Sequence, residues 1–145
     1  MTRLHASSVI PAPVDDVWKL IRDYGNLPGW LPIVAKSVIE EGYADRIGSI
    51  RSLDLANGGK IRERLLALSD VNRSVTFSII ESELPFDGYK SVISLHEITD
   101  GDQTLIEWQA EFDVVTGNAD EVKQQLLDGV YYPGFNALKK IFSSK

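Results

Sequence analysis

Residues Thr2 to Ile10 alternate, with Leu4, Ala6, Ser8 and Ile10 set against Arg3, His5, Ser7 and Val9. That period of two predicts a first β-strand. Pro11-Ala12-Pro13 stops it, and Pro13 suits the first turn of a following helix whose positive end Asp15 and Asp16 complement. Within that helix Val14, Val17, Trp18 and Ile21 form one apolar stripe, and Gly25 supplies the stop. A second, very short helical turn is predicted over Pro28–Leu31, bounded by Pro32. From Ala35 to Val115 the period returns to two, predicting strands over Lys36–Glu41, Ser49–Leu55, Lys60–Leu68, Ser74–Glu81, Tyr89–Thr99 and Thr104–Val115. Asn57-Gly58-Gly59, Asp70-Val71-Asn72, Asp87-Gly88 and Asp100-Gly101-Asp102 supply the turns, and connections this short make the strands an antiparallel meander.

Ala119 to about Ser143 reverts to helical spacing. Asn118 and Glu121 form a capping pair, Val122, Leu126, Val130, Leu138 and Ile141 the buried face, and Lys139 and Lys140 sit at the negative end. Pro133-Gly134 predicts a kink in this helix, whose length of roughly 37 Å is enough to cross a twisted sheet. The elements together predict an α+β fold, in which a curved six- to seven-stranded antiparallel sheet surrounds a long C-terminal helix. Two short helices follow the first strand, and residues 1–145 are read as a single domain.

Composition narrows the function. At 145 residues, 43% hydrophobic and 25% charged, the chain has the balance of a soluble globular protein. Asp and Glu (21) outnumber Lys and Arg (15), giving a net charge of −6. Nucleic acid and anionic membrane surfaces need a cationic field, so neither is expected as a partner. There is no cysteine, which excludes disulfides, thiolate nucleophiles and iron–sulfur ligation. Two histidines, His5 and His96, lack metal-ligand spacing and read as surface residues, so neither metal nor cofactor is expected. Gly58-Gly59 reads as a hairpin turn, because no helix start follows it to cradle a phosphate. No signal-peptide core and no apolar run of about 20 residues occur, so the expected location is the cytoplasm without membrane insertion.

Alternation also assigns faces. Val75, Phe77 and Ile79 point inward with Ile61, Glu63 and Leu65, while Arg62 and Arg64 face water. Arg51, Leu53 and Leu55 share a face, as do Tyr89, Ser91, Ile93 and Leu95. Glu63, Arg51, Tyr89 and Ser91 thus fall among apolar neighbours, where unpaired burial is costly. A partly hydrated cavity accommodates them; an Arg51–Glu63 pair near the rim is the plainer alternative. Trp18 and Trp30 read as packing residues, with Trp30 near the cavity mouth.

The run from Val9 to Trp18 resembles the usual opening of the SRPBCC superfamily, the helix-grip fold shared by polyketide cyclase-like proteins, START domains and birch-pollen allergens. Glu63-Arg64-Leu65, Val75 to Ile80 and Tyr89-Lys90-Ser91-Val92 look most like the plant abscisic-acid receptors and their bacterial cyclase-like relatives. The resemblance spans nearly the whole chain and implies a hydrophobic cavity between long helix and sheet. It implies a polar set of Glu63, Tyr89, Glu111 and Asn136 inside, with Leu53, Leu55, Phe77, Ile79, Ser91 and Tyr132 completing the ligand contacts. Amphipathicity disagrees at one position: Ile106, Trp108, Ala110, Phe112 and Val114 share a face, which puts Glu111 in solvent unless a bulge shifts the register. Two loops, at Gly58-Gly59 and Leu84-Pro85-Phe86, are expected to border the entrance. They depart from the receptor motifs, and the receptors' ligand-binding lysine has no counterpart, Trp30 or Leu31 falling nearby. A hormone receptor of that type is therefore not expected.

The expected function is binding of a small hydrophobic or aromatic molecule in the cavity. The alternative is a cyclase-, aromatase- or lyase-like enzyme using Glu63 or Glu111 as general base, with Tyr89 stabilising an enolate. A third reading makes Leu84-Pro85-Phe86 an exposed anchor for a protein partner. An exposed edge strand would also offer a homodimer interface.

Overall fold

The computed structural model describes residues 1–143. Strand β1 (Thr2–Ile10) leads through Pro11-Ala12-Pro13 to helix α1 (Val14–Ile21) and a 3-10 turn at Leu27–Gly29. The meander follows as β2 (Val34–Glu41), β3 (Ile50–Leu55), β4 (Lys60–Ser69), β5 (Ser74–Ser82), β6 (Phe86–Ile98) and β7 (Gln103–Val114). All seven strands form one sheet in the order β1-β7-β6-β5-β4-β3-β2, and every neighbouring pair is antiparallel. The sheet agrees with the alternation read from the chain, because each strand carries one apolar face toward the helix and one polar face toward water.

The predicted stripe of α1 is buried: Val14, Val17, Trp18 and Ile21 all face inward. Its outer rim is tied to the β4–β5 turn, where Trp18 Nε1 and Arg22 Nε each donate to Asp70 Oδ1 at 2.8 Å. Asn118 caps the last helical segment, its Oδ1 accepting from the backbone amides of Asp120 (2.8 Å) and Glu121 (3.3 Å).

That segment is helical from Ala119 to Ser143 but has three parts: α2 (Ala119–Leu126), a π turn (Leu127–Tyr131) and α3 (Tyr132–Ser143). The irregularity expected at Pro133-Gly134 therefore lies one turn earlier. Pro133 has no N–H to offer the Gly129 carbonyl, and its ring crowds that carbonyl. The helix answers by widening before the proline, the Tyr132 N–H reaching back to the Leu127 carbonyl. Gly134 serves close approach: a Cβ there would stand 2.8 Å from Leu31 Cδ1 and 3.2 Å from Trp30 Cζ3.

The wide turn inserts one extra residue and rotates everything beyond it. Val122 is buried and Leu126 half-buried, after which the buried positions are Tyr131, Phe135, Leu138 and Phe142, spaced 4, 3 and 4 residues apart. Val130 and Ile141, expected on the buried stripe, are half-buried beside it.

Candidate functional site

The helix does not fill the concave face of the sheet. A cavity of about 300 Å³ lies beneath α2 and the π turn. Leu53, Leu55, Ile61, Phe77 and Ile79 supply its sheet wall, and Val122, Leu126, Gly129 and Val130 its helical roof. Leu27 and Leu31, on and just after the 3-10 turn, close one side. Exposed Asn57, Gln125 and Gly129 stand at the mouth.

Two bulges aim the polar groups. Between Arg62 and Glu63 the register of β4 on β5 shifts, so Glu63 lies opposite Ile79 and Leu65 opposite Phe77. In β6, Gly88 and Tyr89 together face the single residue Phe112 of β7, with Gly88 at φ +66°. The positive φ is one that glycine adopts freely. This bulge lets Phe86 and Tyr89, three residues apart, both point inward, where their rings meet at 5.4 Å.

Glu63 is 5% exposed and Arg51 2% exposed, directly opposite one another on β4 and β3. Arg51 Nε and Nη2 donate to Glu63 Oε1 at 2.8 and 2.6 Å, and Nη1 donates to the Tyr24 carbonyl at 2.7 Å. The guanidinium is sandwiched between the rings of Tyr24 (3.9 Å) and Phe77 (4.9 Å). The expected alternative to a hydrated set is thus formed, but in the interior rather than at the rim. Burial pushes the Glu63 carboxyl above the usual carboxylate range, and the charge and hydrogen bonds of Arg51 oppose that rise. An arginine does not lose its proton in a protein. A neutral Glu63 would therefore leave a buried guanidinium uncompensated, and the pair is ionic at neutral pH.

Beside it, the Tyr89 and Tyr131 hydroxyls share a hydrogen bond of 2.6 Å. Burial pushes the Tyr89 phenol up to about 12, its hydrogen bonds to Ser91 and Tyr131 opposing the shift, so it is protonated at neutral pH. Tyr131 stacks on Trp108 at 4.1 Å with 6° between planes, and Trp108 Nε1 donates to Ser91 Oγ.

Leu53, Leu55, Glu63, Phe77, Ile79 and Tyr89 therefore line the cavity as expected, together with Leu84, Pro85 and Phe86. Leu84 and Pro85 are half-buried and Phe86 is buried at the start of β6, so this segment is wall rather than an exposed anchor. Gly58 and Gly59 stand next to wall residue Asn57 without forming the wall themselves. Ser91 is buried behind Trp108 and does not reach the cavity.

Three site residues need correction. Glu111 lies on the outer face, opposite Arg3 and Lys90 in the register. The bulge that would have turned it inward is in β6, and the alternation of β7 runs unbroken. Tyr132 and Asn136 are exposed, because the residue inserted at the π turn rotates them off the buried stripe. Trp30 is buried against Trp108 at 5.8 Å and does not line the mouth. Sequence reasoning missed Tyr131 for the same helical phase error, though Tyr131, Phe135, Leu138 and Phe142 repeat at helical spacing.

His5 and His96 are both on the outer face, as expected, where they flank Glu107 at 3.0 and 2.8 Å. Among the described residues no group of three or more His, Asp or Glu side chains is placed to hold a metal ion. No helix is long and apolar enough to cross a membrane.

A family model described as "Polyketide cyclase / dehydrase and lipid transport" matches residues 1–142. The chain belongs to this family. As a member it is similar to the abscisic acid receptor PYL2 of Arabidopsis thaliana, with 29% identity over 83% of this chain and 67% of the receptor. It is 24% identical to the abscisic acid receptor PYL6 over 91% of its own length, but spans only 65% of that receptor. Among solved structures, the protein XoxI of Bacillus cereus superposes with a TM-score of 0.89 at 33% identity, covering 99% of this chain and 96% of that one. A Bacillus thuringiensis protein gives 0.88 at 32% identity over 98% and 99% of the two chains. The fold is thus the helix-grip fold of that family.

Proposed function

We propose that this member of the family binds a small, largely apolar molecule in the cavity between the β-sheet and the last helix. The carrying observation is the cavity itself: about 300 Å³ of apolar-walled space with the Glu63 carboxylate and Tyr89 phenol at its inner wall. It is about twice the size of a roughly 150 Å³ cavity that takes up benzene, so one or two rings fit. Burial of ligand surface at about 25 cal/mol per Å² drives such binding, and the polar groups set orientation. The cyclase- or lyase-like reading has Glu63 as its remaining base, since Glu111 is outside, and Arg51 already occupies one oxygen of that base. Binding is therefore the favoured reading.

Native mass spectrometry of protein purified from its own host tests it. The expected result is a small-molecule adduct that is lost on unfolding and absent from a Val130→Trp variant, whose indole fills the cavity. A folded wild-type protein that carries no adduct and takes up no aromatic probe would count against it.

A further inference from the structure

The chemistry of the cavity wall specifies the ligand more closely, resting on the binding reading above. Among the described residues no lysine, arginine or histidine lines the cavity, and the Glu63 carboxylate is its single charged group. Arg51 neutralises that carboxylate from behind, between two aromatic rings and outside the cavity wall. Both its bonds to Glu63 fall on Oε1, while Oε2 accepts no hydrogen bond from a described residue. The other interior polar groups are engaged, Tyr89 by Tyr131 and Trp108 by Ser91. Asn57 and Gln125 are exposed at the mouth.

An ionised carboxylate oxygen only accepts hydrogen bonds. What is missing at Oε2 is a donor. A ligand hydroxyl or amine hydrogen supplies it, in a dry site where a charge-assisted hydrogen bond is stronger than one between neutral groups. An ether of the same shape leaves Oε2 unpaired, and a site built around a hydrogen bond rejects the analogue that lacks it. A ligand carboxylate fares worst, bringing a second negative charge with no cation to meet it.

We infer that the cavity selects an uncharged one- or two-ring molecule carrying a hydroxyl or amine hydrogen directed at Glu63 Oε2, and rejects its carboxylate analogue.

The test uses the wild-type protein at neutral pH, titrated by calorimetry with 2-naphthol, 2-methoxynaphthalene and 2-naphthoate. Amide NMR shifts at Glu63, Ile79 and Gly129 locate each probe. The expected result is 2-naphthol binding at these residues at least about tenfold more tightly than the methyl ether, a difference of about 1.4 kcal/mol. The naphthoate should bind at least about a hundredfold more weakly than the naphthol, about 2.8 kcal/mol on the same scale. Naphthoate binding as tightly as naphthol, or equal binding of naphthol and its ether, overturns the selectivity and leaves the cavity reading standing. If none of the three binds, the cavity reading falls and the selectivity with it.

Discussion

Arg62 and Glu63 are neighbours on β4, and one peptide bond separates two kinds of ion pair. Arg62 points to water, where its guanidinium meets Glu40 at 2.9 Å and Glu81 at 2.9 Å. Glu63 points inward and meets Arg51 across the strand pair. The outer pairs are screened by solvent and salt and hold long side chains in place at an entropic cost, so they contribute little. The inner pair is costly to bury and costlier to break. It is better understood as a polar corner held inside an apolar room than as a source of stability. The outer face carries charge for solubility; the inner face carries one charge whose second oxygen is left for a guest.

Breaking the inner pair from one side is the largest available perturbation. Arg51→Met leaves the Glu63 carboxylate buried and alone, and urea denaturation should record a loss of about 3–5 kcal/mol. Adding Glu63→Leu to that variant removes the stranded charge and should recover most of the loss. A double variant as unstable as the single would mean that the ion pair was not the cause.

Acidification should separate the two faces by sign. Burial raises Glu63, so its contribution to stability is full below the ordinary value of 4.5 and is lost as pH rises through its elevated value. Glu107 behaves oppositely. The His5 hydrogen bond leads the interactions that lower it, so its contribution is present above 4.5 and is lost as pH falls through the depressed value. Thermal unfolding followed from neutral to acid pH should therefore show wild type losing more stability than Glu107→Gln; superimposable profiles would refute the assignment.

The smallest effect is expected from Arg62→Ala. Its urea midpoint should shift slightly at low ionic strength and coincide with wild type in about 0.5 M salt, where charges on the surface are screened within a few ångströms. A loss larger than that of Arg51→Met would invert the comparison.

Much of this arrangement was legible from residue order. The alternation of β4 placed Glu63 inside and Arg62 outside, and the Asn- and Gly-rich turns set the meander. The wall residues Leu53, Leu55, Phe77, Ile79 and Tyr89 followed from the same alternation. Glu111, Tyr132 and Asn136 came from resemblance, and the folded chain puts each elsewhere. At Glu111 the plain period-two pattern of β7 was the better guide. Tyr132 and Asn136 failed because helical phase was carried across Pro133 as though the helix were regular.

Local chemistry along the chain determined which elements form and which side of each faces oil, since hydrophobic period, turn residues and caps act within a few residues. Tertiary structure alone decided what those faces enclose. Two strand bulges and one wide helical turn each add a residue to a regular count, and each re-aims everything after it. Whether Arg51 takes one oxygen of Glu63 or both is a matter of fractions of an ångström between strands, and no pattern along the chain encodes that distance.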